Sequence, residues 1–207
     1  MNTSRYTPKA FADVLHERRT VRRFATDPVP AEVVERVVDA ATRAPSAHNR
    51  QPWRFCRVES KDRKETLASA MGQRLKADRQ QDGDDAACID RDVKRSYDRI
   101  AAAPVVIVVC MTLEDMDRYP DERRSAAEWT MAVQSTAMAG QNLLLAAQAE
   151  GLGACWICAP LFCADQVREV LALPEEWQPQ GIVLAGYAGE PEKVRGRKPL
   201  SGVMTVR

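Results

Sequence analysis

Apolar residues recur at helical spacing at Phe11, Val14 and Leu15, which predicts a short helix over 8–18. Val33, Val34, Val37, Val38 and Ala41 make one apolar face and predict a second helix. Pro30 is placed as its first residue, where a missing N–H costs nothing, and the helix should stop before Pro45. Residues 45–52 (Pro-Ser-Ala-His-Asn-Arg-Gln-Pro) set hydrogen-bonding side chains between two prolines and predict a loop. Trp53 to Val58 predicts a strand. The stretch 61–101 is the most polar part of the chain. Its helical periodicity comes in two pieces, 62–80 and 86–101, with Asp82-Gly83-Asp84-Asp85 as the turn between them. It reads as a helical excursion over the core, either a lid at 72–101 or a solvated helical hairpin.

Pro104 opens Val105 to Met111, a run that is apolar on both faces and rich in β-branched residues. That pattern predicts a strand at the centre of a sheet. Residues 122–150 predict one long helix, in which Ala132, Ser135, Ala139, Gly140 and Ala147 permit close approach of another helix. Strands follow at 153–159 and 180–188, with a helix at 164–172 between them. The tail, 189–207, is basic and irregular. No internal repeat and no linker interrupts the pattern, so it predicts a single α+β domain over 1–207.

The 207 residues suffice for a buried core. Thirty basic and twenty-nine acidic side chains leave a net charge of +1. This excludes a broad nucleic-acid-binding face but leaves room for a local phosphate pocket. No run approaches the roughly 18 uninterrupted apolar residues of a membrane span. The N-terminus leads directly into a charged amphipathic stretch with no signal peptide. The expected location is the cytoplasm, with the six cysteines as thiols.

Arg18, Arg19 and Arg22 lie within five residues, just past a predicted helix end, and Thr20 adds a hydroxyl. Arginine forks supply the charge-assisted donors that a dianionic phosphate needs. Taken alone, the cluster reads first as a solvated basic turn. The tail holds Lys193, Arg195, Arg197 and Lys198, either a second basic arm for the same phosphate or a solvated terminus. Glycines in Glu150-Gly151-Leu152-Gly153-Ala154 allow a left-handed helix stop, and they also let a flat ligand touch backbone. This is not a dinucleotide fingerprint, because it follows a helix and precedes a strand.

Cys155 and Cys158 invite a metal or redox reading. Residues three apart on a strand point to opposite faces, and His16 and His48 are far away in sequence, so no metal site is expected. No nucleophile–base set can be built from two histidines. No catalytic side chain is therefore assigned, which suits an enzyme whose cofactor carries the chemistry.

In order and content these clusters resemble the nitroreductase family of FMN-dependent flavoenzymes. The resemblance rests on Arg-Arg-Thr-Val-Arg-Arg-Phe (18–24), Ala-Pro-Ser-Ala-His-Asn-Arg-Gln-Pro-Trp (44–53), Glu-Gly-Leu-Gly-Ala-Cys-Trp (150–156) and the tail arginines. It implies an α+β fold with a central mixed sheet flanked by helices, and an intertwined homodimer with two FMN sites at the subunit interface. By likeness, Arg18, Arg19, Thr20, Val21 and Arg22 would hold the ribityl and phosphate groups, assisted by Arg195 or Arg197. Pro45, Ser46, Ala47 and Asn49 would reach the flavin from the partner subunit, and backbone at Gly151, Leu152 and Gly153 would lie against the ring. Thr20 stands where serine is commoner.

The segments at 119–129, 162–171 and 173–177 look like one branch, the flavin-binding C-terminal domain of the bifunctional glutamyl ligases of the deazaflavin coenzyme F-420. That likeness implies ping-pong hydride transfer through flavin N5 to a dehydro precursor of the coenzyme, with Asp78 in the segment that meets the deazaflavin. The 207 residues hold no ligase domain, so the expectation is either a free-standing reductase or a relative that kept the scaffold and changed substrate. The alternatives are a general NAD(P)H-dependent reductase of nitroaromatics or quinones, and a flavin-binding module without turnover.

Overall fold

The structure, a computed structural model, describes residues 8–189 and 196–207. Its centre is a four-stranded sheet in the order β1-β2-β4-β3. The strands are β1 (Trp53–Arg57), β2 (Val105–Met111), β3 (Gly153–Ile157) and β4 (Gln178–Gly186). Every residue of β2 is buried, which is why its sequence is apolar on both faces. Val106, Val108 and Cys110 enter one core, while Val105, Ile107 and Val109 enter the other.

All three strand pairings are antiparallel. Among the described residues, the parallel part of the expected mixed sheet is confined to the bridge between Thr20 and Ala154. β4 starts earlier than the pattern predicts. Its Pro179, which cannot donate to a ladder, sits where the β2–β4 register shifts between Val109 and Cys110. β3 ends sooner than predicted, because Pro160 lies in a 3-10 turn, Ala159–Phe162.

Helices cover both faces. α2 (Ala31–Ala41) and α5 (Glu122–Ala149) bury Val34, Val37, Leu143 and Ala147 against Ile107, Val109 and Val183. α3 (Lys61–Gln81), α4 (Ala86–Ala101) and α6 (Ala164–Leu171) bury Leu67, Met71, Ile100 and Val167 against Val106, Val108 and Leu184. α1 (Pro8–Glu17) packs against α5. Pro30 caps α2 and is not its first residue, since its ψ of 143° is still extended. Ser60, Asp85 and Asp121 cap α3, α4 and α5 by accepting the N–H groups of Arg63, Cys88 and Arg124. Those bonds hold the Asp85 and Asp121 carboxyls below the usual aspartate range.

The polar stretch 61–101 folds as an antiparallel pair of helices whose base is core and whose tip is charged. Leu67, Ala68 and Met71 are buried at the base. Lys64 is buried beside them, and its Nζ donates to the carbonyls of Ala103 (2.9 Å) and Pro104 (2.8 Å). Burial and the nearby Arg57 push the Lys64 ammonium below the ordinary lysine pKa. Towards the tip, Arg79 pairs with Asp84 and Asp92, and Lys76 pairs with Asp90. Among the described residues, no helix is long and apolar enough to cross a membrane.

Candidate functional site

α1 ends at Glu17, and the arginine segment leaves it as extended chain. Val21 N–H donates to the Ala154 carbonyl at 3.0 Å, beside the Thr20–Ala154 bridge. Val21 is buried and packs on Gly153, where a Cβ would lie 2.7 Å from the valine side chain. In extended chain the period of two puts Thr20 and Arg22 opposite Val21. Arg18 and Thr20 are half-buried and Arg22 is exposed. Arg19 is turned back on its own helix, where its guanidinium donates to the carbonyls of His16 and Arg18. It therefore caps the end of α1.

The second wall is the turn after α5. Gly151 has φ +78°. Its N–H donates to the Gln148 carbonyl (3.1 Å), and Leu152 N–H donates to the Ala147 carbonyl (2.8 Å). These are the two bonds of a glycine-terminated helix stop. A Cβ at Gly151 would meet open space, so backbone is bare on that side. The helix cap, Glu150, is held by Arg36 of α2 through a bidentate pair at 2.9 and 2.7 Å. That guanidinium lowers the Glu150 carboxyl below the usual glutamate range. Nothing in the spacing of Arg36 on the polar face of its helix announces the pair.

The loop at 45–52 keeps three residues at left-handed φ: His48 (49°), Asn49 (54°) and Gln51 (49°). The Ser46 hydroxyl accepts from Gln51 N–H at 3.0 Å, and the Ser46 carbonyl accepts from Asn49 N–H at 3.0 Å. Ala47 N–H points at the Ser135 hydroxyl (3.4 Å), which itself donates to the Met131 carbonyl. The loop thus sits beside the middle of α5. Ser135 and Glu150 are fifteen residues apart, roughly 22 Å along the helix axis at 1.5 Å per residue.

Within one chain the structure therefore sets Thr20 and Val21 against Gly153 and Ala154, with Arg18 and Arg22 flanking them in sequence and Gly151 and Leu152 leading into that strand. It leaves Pro45, Ser46, Ala47 and Asn49 along α5 from that wall. Asp78 lies on α3, in the helical layer on the other face of the sheet, and Arg74 Nε meets both its carboxylate oxygens at 2.7 and 2.9 Å. Arg197 is exposed in the tail, and Arg195 lies outside the described residues. Cys155 is buried in the core while Cys158, past the strand end, is exposed and accepts the Trp156 indole N–H at 3.2 Å.

The described residues fit an FMN-like group on one observation. A run bearing Arg18, Thr20 and Arg22 is hydrogen-bonded at Ala154, three residues after the bare backbone of Gly151, so donors of the kind a phosphate needs and a turn open to a flat ring belong to one junction.

Comparison with known proteins gives the same picture. A model of the nitroreductase family matches residues 15–187. A protein of Thermus thermophilus named NADH dehydrogenase is 30% identical, with 92% of this chain and 93% of that protein covered. A nitroreductase candidate of Desulfovibrio desulfuricans, solved in complex with FMN, superposes with a TM-score of 0.74 at 25% identity and covers 98% of each chain. A BluB-like flavoprotein of Clostridium difficile superposes with a TM-score of 0.79 at 24% identity, covering 95% of this chain and 98% of the other.

Proposed function

We propose that this chain, which belongs to the nitroreductase family, pairs with a second copy of itself to build two FMN sites and uses them to pass hydride from a reduced nicotinamide to a small acceptor. The chain is an FMN-dependent oxidoreductase. The observation that carries the site reading is the bridge that sets Thr20 and Val21 against Ala154 and Gly153.

Each part of the chain has a stated task. Arg18 and Arg22 neutralise the cofactor's phosphate, Thr20 donates a hydroxyl at the ribityl end, and Arg195 or Arg197 closes over the phosphate from the tail. Arg19 keeps the end of α1 capped so that the next three residues stay extended. Backbone at Gly151–Gly153 supports the ring, and Arg36 holds that turn through Glu150. When bound, FMN accepts a hydride from the donor and delivers it to the acceptor, so no side-chain acid or base is required. The whole of 1–207 serves as one cytoplasmic FMN-binding domain.

The separation along α5 supports the dimer. A flavin seated at Gly151 is out of reach of Asn49 in the same chain, so a second copy supplies Pro45, Ser46, Ala47 and Asn49. Exposed Trp129 and Met138 on α5, and Leu200, Val203 and Met204 in the tail, are apolar surface suited to that contact. Analytical ultracentrifugation should give twice the chain mass, and a monomer with full FMN content would rule the shared site out.

The test of the cofactor site is direct. Purified protein should be yellow and bleach on NADH or NADPH. Arg18→Ala and Arg22→Ala should each weaken FMN retention by about 1.5–3 kcal/mol of charge-assisted hydrogen bonding. Unchanged flavin content in both would overturn the phosphate assignment.

A second reading for the acceptor, a dehydro precursor of a deazaflavin coenzyme, is favoured by the charged face of α3 and α4 around Asp78. Deazaflavin fluorescence should change on binding if it holds, and no binding at high micromolar concentration would remove it. A flavin module without turnover predicts bound FMN that neither nicotinamide reduces.

A further inference from the structure

Beside the loop at 48–54 lies a depression of about 540 Å³, open to solvent and lined mostly by polar groups of His48, Asn49, Arg50, Gln51, Trp53, Arg54 and Asp115. The loop that builds it holds His48, Asn49 and Gln51 at left-handed φ, a costly conformation that persists only where surrounding structure enforces it and that clusters at ligand sites. Asn49, which the dimer reading gives to the partner's flavin, is part of this lining, so the depression adjoins that site, while Arg50, Arg54 and Asp115 have no task in holding FMN.

Arg54 is fixed at the cavity wall. Its Nη1 donates to the carbonyls of Gln51 (3.1 Å) and Trp53 (2.9 Å). Its Nη2 lies 3.6 Å from Glu114 and 3.7 Å from Asp115, too far for a hydrogen bond to either. The guanidinium is thus positioned by backbone and ion-paired with both carboxylates beyond hydrogen-bonding distance, which leaves Nη2 a proton to donate. Arg50 pairs with Asp117 at 2.6 Å, while its Nε is buried without a hydrogen-bond partner.

These charges select for one kind of ligand. A simple anion that reaches Arg54 also meets Glu114 and Asp115. A simple cation that reaches Asp115 also meets Arg54. A molecule with a carboxylate and an ammonium a few bonds apart satisfies both, with the carboxylate on the guanidinium edge and the ammonium on Asp115. We propose that this cavity is a recognition subsite for a zwitterionic small molecule of the α-amino-acid class, and that Arg54 and Asp115 select it. As a statement about the acceptor's polar end, the proposal rests on the reductase reading; binding to the subsite is measurable without turnover.

The test uses FMN-loaded protein and three probes that share a ring and differ in charge: phenylalanine, phenethylamine and 3-phenylpropionate. Calorimetry should show phenylalanine binding about tenfold more tightly than either, the effect of one added charge-assisted contact. Arg54→Gln and Asp115→Asn should each remove most of that advantage while the visible flavin spectrum stays unchanged. Asp115→Asn leaves the Arg54–carbonyl contacts in place, so it reports on selection even if Arg54→Gln disturbs the loop. Equal or tighter binding of the amine or the acid would overturn the subsite, as would no heat from any probe, or a preference that survives Asp115→Asn. Protein that takes up no FMN overturns the cofactor reading instead, and titration of that protein with the same probes still decides the subsite.

Discussion

Val21 occupies the space that a Cβ on Gly153 would need: the added carbon would fall 2.7 Å from the valine side chain. The glycine therefore lets the arginine segment approach β3 closely enough to hydrogen-bond with it. Gly153→Ala should push that segment outward, at a cost of roughly 1–3 kcal/mol for overpacking. FMN affinity should fall with it, because Thr20 and Arg22 move too. Adding Val21→Ala should recover much of the loss by making room. Fluorescence titration of FMN into the single and double variants measures this, and a double variant no better than Gly153→Ala would show that the contact does not position the segment.

The Arg36–Glu150 pair predicts a pH dependence. Arg36 lowers the folded pKa of Glu150, so the pair's contribution is complete above the ordinary glutamate value of about 4.3 and is lost as pH falls through the lower folded value. Both side chains are partly exposed, which limits the contribution to about 0.5–1 kcal/mol. Arg36→Gln should be less stable than the parent by that amount at neutral pH, and the gap should close in acid. Urea unfolding at a series of pH values reads it. A gap that does not narrow would mean the arginine acts by packing alone.

The order of helices and strands was readable because most elements carry a clear pattern, from the all-apolar Val105–Met111 to the face of α2. The misreadings fall where local signals compete. Pro30 fits both a first helical position and a cap, and the strand predicted from 180 starts at Gln178, where the shifted β2–β4 register accommodates Pro179. The two walls around Gly153 were legible as motifs, but their contact was not, since it depends on Val21, an ordinary apolar residue. Arg36–Glu150 and the Arg54 wall were invisible for a different reason. Each joins residues from separate elements on polar faces, where sequence pattern encodes exposure and not partner.

Trp156 gives a prediction about the core. Its ring lies against two glycines, so a Cβ at Gly181 would fall 2.3 Å from it and one at Gly140 would fall 2.5 Å away. The indole thus bridges β4 and α5 through positions that tolerate no side chain. Gly181→Ala and Gly140→Ala should each destabilise the fold by roughly 1–3 kcal/mol, because the ring cannot move without opening the β3–β4–α5 contact. Trp156→Leu should make either glycine replacement cheaper. Thermal denaturation of the three single and two double variants tests it, and strictly additive losses would contradict the shared-space argument.

The thiols should divide by burial. Burial pushes the Cys110 thiol up to about 12 and the Cys163 thiol up to about 11, while Cys158 is exposed on the chain just past β3. Alkylation requires both thiolate and access. At pH 8 Cys110 and Cys163 are protonated and enclosed, so iodoacetamide should leave them unlabelled in native protein and label them only after denaturation. Cys56, also raised by burial, should react slowly, and Cys158 should be modified first. Peptide mass spectrometry after timed labelling gives the order directly. Early modification of Cys110 would mean that β1 and β2 separate under native conditions, since β2 is enclosed on both faces and flanked by β1 and β4.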